Sequence, residues 1–236
     1  MLRSDPGVGK KWFAHLQKQP LKPFFCEPPV YVVVARQSPE RTCVVYDRTD
    51  GGLAIRGFLS LFDADLAACW MSRTGGRFYG QRASLIDPSL FRAPEGAGFA
   101  LNLHVGWAAH DHQVTLGIGG EPVSVCRPLR MHNRATAFEV DNSTMYLMST
   151  VYEAAGLFAW RETLGDLENW EHGQLARAHA RVRRPLFEGG RCTLHERDAF
   201  NHGGGNREAW DQLALFDPEA GQWHFVPRDV LKGGVS

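Results

Sequence analysis

Hydrophobic positions along this chain change period several times, and each change predicts an element. The run VYVVVARQ (30–37) is rich in β-branched residues, with prolines before it and Ser-Pro after it, and reads as a strand. TCVVYD follows as a second strand. The turn formers of RTDGG then lead into LAIRGF as a third. At SLFDADLAACWMS the period lengthens. Leu61, Phe62, Leu66, Cys69 and Trp70 recur at helical spacing, with Ser60 placed to cap the start and Gly75 or Gly76 to end the helix. The first eighty or so residues therefore read as β-β-β-α. From Tyr79 to Gly98 no period holds, and DPSLFRAPEGAG has the composition of a loop or linker.

FALNLHVGW alternates again. Phe99, Leu101, Leu103 and Val105 fall on one face of the predicted strand, Asn102 and His104 on the other. AAHDH turns the chain back, and QVTLGIGG and PVSVCR read as two further strands. The stretch from Asp141 to Leu164 predicts one long helix. Asp141, Asn142 or Ser143 is its cap, Met145, Met148, Tyr152, Ala155 and Ala159 form its apolar stripe, and Gly165 is its end. DLENWEHGQLARAHARV predicts the next helix. Its acids Asp166, Glu168 and Glu171 come early and its arginines Arg177, Arg181 and Arg183 come late, an order that suits the helix dipole, and Pro185 stops it. DQLALF and QWHFVP flank Asp-Pro-Glu-Ala-Gly as a C-terminal β-hairpin.

These elements define an α+β protein: antiparallel sheet segments, an early amphipathic helix, two central-to-late helices and a C-terminal β-hairpin. The expectation is a single domain over residues 1–236. A subdivision at the turn-rich stretch would separate a meander plus helix (24–87) from a mixed β-α-α-β region (98–230). A chain of 236 residues buries a substantial core without needing disulfides or metal.

Charge and cysteine content narrow the function classes. There are 26 basic and 26 acidic residues, a balance that gives no ground for nucleic-acid or anionic-membrane binding. The five cysteines are dispersed without CxxC spacing, which suits reduced thiols better than a disulfide framework or zinc knuckle. The opening residues lack the apolar core of a signal peptide, and no stretch has the length of a membrane-spanning helix. The expectation is a cytoplasmic protein.

Two polar clusters carry candidate chemistry. HVGWAAHDH holds His104, His110 and His112. In an extended strand His110 and His112 face the same way, which places two imidazoles on one metal, with His104 or His132 as a third ligand. HERDAFNHGGG holds His195 and His202 with nearby carboxylates, but it lacks the HExxH arrangement. Its glycines suggest an oxyanion hole, yet the chain has no GxSxG elbow to go with it. The plainer expectation for this stretch is a structured loop leading into the C-terminal hairpin.

With no complete catalytic motif, the leading expectation is a non-catalytic protein-interaction protein: an inhibitor, an immunity-like protein, an adaptor or a complex subunit. It requires no cofactor, and its partner is another protein. Trp210, Arg177 and Arg181 are its candidate contact residues, because tryptophan and arginine concentrate binding energy. The alternative is a metal-dependent hydrolase. It would use His110, His112, His195 and His202 with carboxylates to hold a divalent ion such as zinc and activate water.

Overall fold

A computed structural model describes residues 25–27, 29–38, 41–49, 52–73, 75–87, 99–131, 137–187, 191–192 and 210–232. The strands of the N-terminal half are β1 (Phe25–Glu27), β2 (Tyr31–Ser38), β3 (Arg41–Val44), β4 (Tyr46–Thr49), β5 (Gly52–Phe58) and β6 (Arg77–Arg82), with α1 (Leu61–Arg73) before β6. Then come β7 (Phe99–His110), β8 (Gln113–Leu116), β9 (Ser124–Met131) and β10 (Ala137–Glu139). The helices α2 (Asn142–Ala154), α3 (Trp160–Gly165), α4 (His172–Val182) and α5 (Arg184–Phe187) follow. The chain closes with β11 (Arg191–Cys192), β12 (Gln212–Asp217) and β13 (Gln222–Pro227). The α+β class read from the sequence is the observed one, and β12 and β13 form the expected antiparallel hairpin.

Strand β7 is the spine. Its first half pairs in parallel with β5 on one edge and antiparallel with β9 on the other. Where β5 leaves, β12 takes over the same edge by pairing with Trp107–Ala109, and β8 continues the edge that β9 leaves. The β5–β7 ladder joins strands from either side of the turn-rich stretch in one sheet. A separate pair is formed by β1 and β10 in parallel.

Period-two alternation divides the sheet into two apolar faces. Val32, Val34, Ile55, Leu101 and Leu103 pack under Leu147, Met148 and Val151 of α2 and Trp160 of α3. Tyr31, Val33, Phe58 and Trp107 pack under Phe62 and Leu66 of α1 and Val182 of α4. Strand β7 is therefore buried on both faces. Asn102 and His104, expected on a polar face, are 7% and 3% exposed. Among the described residues no helix is long and apolar enough to cross a membrane.

Several elements differ from the sequence reading, each for a local reason. TCVVYD is two strands: the Val45 amide still donates to the Val33 carbonyl of β2, and beyond it β4 pairs with β5. RFYGQR, which has no apolar period, is strand β6 on the outer edge of β2. Gly80 lets it run close to α1, since a Cβ there would stand 3.1 Å from that of Ala64.

The long helix is two helices. Asp141 caps the first, accepting from the Thr144 amide at 2.8 Å. Gly156, at φ 78°, then ends it in the left-handed conformation open to glycine. Its buried stripe is Thr144, Leu147, Met148, Val151 and Tyr152, and Ala159 lies outside it. The early acids Asp166 and Glu168 precede α4 instead of forming its first turn. Trp170 is extended, and Glu171 opens α4 through a capping box with Gln174. Helix α4 stops at Val182, ahead of Pro185 as expected, and Pro185 then sits in the first turn of the short α5, where its missing amide is not needed.

Candidate functional site

The β7–β8 hairpin corrects the expected histidine pair. Asp111 and His112 form a two-residue turn with φ of 48° and 56°, so His112 is not in an extended strand with His110. His110 Nδ1 lies 3.1 Å from Asp211 Oδ1 at the start of β12. The His112 ring instead meets the edge of Phe225, with centroids 5.4 Å apart. The two imidazoles turn to separate partners, and His104 is buried inside the sheet. His132, His195 and His202 lie outside the described residues. Among the described residues no group of three or more histidine, cysteine, aspartate or glutamate side chains stands ready to hold a metal.

The contact residues expected from the sequence are dispersed. Trp210 is half-buried at the entrance to β12, with the Arg228 guanidinium 4.0 Å over its ring. Arg181 Nη1 donates to the Ala220 carbonyl at 2.8 Å, which ties α4 to the β12–β13 turn. Arg177 is exposed on α4.

The structure gathers polar groups that the sequence scatters. A bulge in β7 between His104 and Gly106 inserts Val105 as an extra residue opposite β9. Positions three apart on a regular strand face opposite ways. Here the bulge turns His104 and Trp107 to the same side, with ring centroids 4.3 Å apart. Both face α1, where the Trp107 indole donates to Asp63 Oδ1 at 2.7 Å and His104 Nε2 lies 4.0 Å from Asp63 Oδ2. On the other side His104 Nδ1 shares a 2.6 Å hydrogen bond with Ser124, whose hydroxyl is 3.1 Å from the Cys126 sulfur. Ser124 and Cys126 are two apart on β9 and so share a face.

Burial sets the charge state of this chain of groups. It pushes the Asp63 carboxyl up to about 7, against the hydrogen bonds from Trp107 and Ser60. It pushes His104 well down, with the nearby Arg56 charge acting the same way. Burial also raises the Cys126 thiol, although Arg56 and Ser124 oppose the shift. The imidazole is neutral and the thiol keeps its proton. A nucleophile needs the opposite tuning, a stabilised thiolate beside a competent base. The Trp107–Asp63 and His104–Ser124 hydrogen bonds thus tie α1 and β9 to β7 through a buried polar clamp, in which the imidazole is neutral and the Cys126 thiol protonated.

Asp65, two residues on, points elsewhere, because residues two apart on a helix do not share a face. It accepts two hydrogen bonds from Arg183, both 2.7 Å, and its Oδ2 lies 3.0 Å from His179 Nδ1. Burial alone would raise its pKa, but these partners outweigh burial and hold it below the usual carboxylate range. This pair docks α4 on α1. Arg183→Met is expected to cost about 2 kcal/mol in urea unfolding. That is less than the 3–5 of a fully buried pair, because the Arg183 side chain is 39% exposed. Unchanged stability would show that the pair contributes nothing.

A different feature lies where α2 gives way to α3. Phe158 is 77% exposed, the highest among the described large apolar side chains that face solvent. It stands beside an open groove of about 190 Å³ between the α2–α3 corner and the β12–β13 turn. Tyr152, Trp160, Phe216 and Pro218 line the groove. Tyr152 and Trp160 stack with centroids 4.7 Å apart and are buried in the core behind the groove, so its floor is preformed. The sequence placed Phe158 inside a helix, and only the break at Gly156 turns it outward. Comparison with known proteins finds no family model, curated protein or solved structure that matches this chain.

Proposed function

We propose that this protein is a non-catalytic binding protein that engages another protein through the corner between α2 and α3. The observation that carries this role is Phe158. A phenylalanine held 77% exposed at the rim of a groove, over the buried Tyr152–Trp160 stack, loses apolar burial that folding alone would have favoured. Aromatic side chains next to a concave apolar surface are the usual anchors of protein interfaces. The neutral state of the Cys126–Ser124–His104 chain favours a structural over a catalytic part for the most concentrated polar groups. A metal-dependent hydrolase is the weaker reading, because His110 and His112 take separate partners.

The test is affinity capture from native extract with quantitative mass spectrometry, comparing the wild-type chain with Phe158→Ser. One protein near equal stoichiometry is expected with the wild type, reduced about tenfold or more by the substitution. Because Phe158 is exposed, its replacement should leave the melting temperature within a degree or two. Capture that is indifferent to Phe158 would rule out this corner as the binding surface.

A further inference from the structure

We infer that the groove beside Phe158 receives a peptide segment that is both apolar and basic; this rests on the binding role proposed above and names the partner's chemistry. The groove has two kinds of wall. Phe158, Ala159 and the half-buried Leu157 offer apolar surface at its rim, over a floor of the buried Tyr152, Trp160, Phe216 and Pro218, while Asp217 and Glu219 are the only ionisable acids or bases among the groove-lining residues apart from the phenol of Tyr152. No lysine, arginine or histidine lines it.

Both carboxylates are held in place. Glu219 Oε1 accepts from the Thr163 hydroxyl at 3.0 Å, which fixes it across the groove against α3. Asp217 Oδ1 accepts from the turn amides of Glu219 and Ala220 at 2.9 and 3.2 Å. Its Oδ2 is 3.5 Å from His224 Nε2. Two basic side chains of the neighbouring elements stand close by, each bonded to a neutral acceptor. Arg161 donates to the Ser149 hydroxyl at 3.0 Å with its guanidinium 5.3 Å over the Trp160 ring, and Arg181 donates to the Ala220 carbonyl. Glu162 and Asp166 are exposed on and after α3 and add to the negative field.

The carboxylates of Glu162, Asp166, Asp217 and Glu219 outnumber the Arg161 and Arg181 guanidiniums here, so an acidic segment would meet net repulsion. A purely apolar one would leave the exposed Glu219 carboxylate with no partner of opposite charge. A lysine or arginine beside a leucine or aromatic residue satisfies both walls, and arginine adds a stacking contact with Phe158.

The experiment is selection from a phage-displayed library of random twelve-residue peptides on the immobilised full chain, with counter-selection on Phe158→Ser. A synthetic peptide from the leading clone is then titrated by fluorescence anisotropy. The expected consensus has lysine or arginine within a few residues of leucine, phenylalanine or tryptophan. Its affinity should fall about tenfold in Phe158→Ser and about three- to tenfold in Glu219→Gln, and it should weaken with added salt. A Phe158-dependent consensus that is acidic or uncharged would overturn the inference while leaving the binding role standing. Clones that bind Phe158→Ser equally well would overturn the inference and remove this corner as the binding surface. Self-association by sedimentation velocity that Phe158→Ser abolishes would make a second copy of the chain the occupant, and would also overturn it.

Discussion

Asp63→Asn is expected to abolish a component of the protein's pH dependence. Wild-type stability should fall relative to the variant by roughly 4 kcal/mol as pH rises from 4 to 8. Asp63 is 5% exposed, and burial raises its folded pKa to about 7 from the ordinary carboxyl value of 3.8. Between those two values the folded chain binds a proton that the unfolded chain releases, so each step up in pH favours unfolding. The contribution is fully present below about pH 4, is lost progressively toward pH 7 and is flat above. Placement in the first turn of α1 favours the charged form, but a helix N-terminus supplies about 1 kcal/mol or less, too little to reverse the burial cost. His104 has the opposite slope. Its folded pKa is depressed, so its contribution grows as pH rises toward its unfolded value. Subtracting the two unfolding curves, wild type minus Asp63→Asn, removes that shared component. Asparagine keeps an oxygen to accept the Trp107 indole. A difference curve that stays flat from pH 4 to 8 would show that Asp63 is not buried as described.

Trp107→Leu has the second large effect, an expected loss of about 3–5 kcal/mol. Trp107 is fully buried, and its ring packs beside those of Phe58 and His104. The substitution removes much of that packing and also the donor to Asp63. The lost hydrogen bond is worth more to a charged carboxylate than to a neutral one. The cost should therefore be larger at pH 8 than at pH 5, and the Asp63 pKa should move further up. Urea melts at the two pH values read both effects. An equal cost at both would mean that packing alone is responsible and that the indole does not act on Asp63.

These two residues also show what the sequence makes legible. The β2 and β5 strands, helix α1 and the β12–β13 hairpin are readable because each carries its own period and turn residues. Strand β6 is not, since its place depends on pairing with β2 and on the close approach of Gly80 to α1. The break at Gly156 is hidden for another reason. The apolar residues on either side continue a helical rhythm, so periodicity alone predicts that Phe158 stays inside a helix.

The polar clamp was equally hard to foresee. Asp63, His104, Ser124 and Cys126 belong to three elements, and only the extra residue Val105 brings His104 and Trp107 to one side of β7. Conversely, HxH spacing at His110 and His112 suggested a shared face, but spacing has that meaning only in an extended strand. The left-handed turn at Asp111 and His112 removes the condition.

The most direct test of the binding role replaces Phe158 with the photo-crosslinker benzoylphenylalanine, which keeps an aromatic ring at the corner. Leu85, 68% exposed and in a short helical turn after β6, is the control position. After irradiation in native extract, the account predicts one discrete adduct from position 158 and none of the same mass from position 85. No adduct at 158, or the same adduct from both positions, would contradict it.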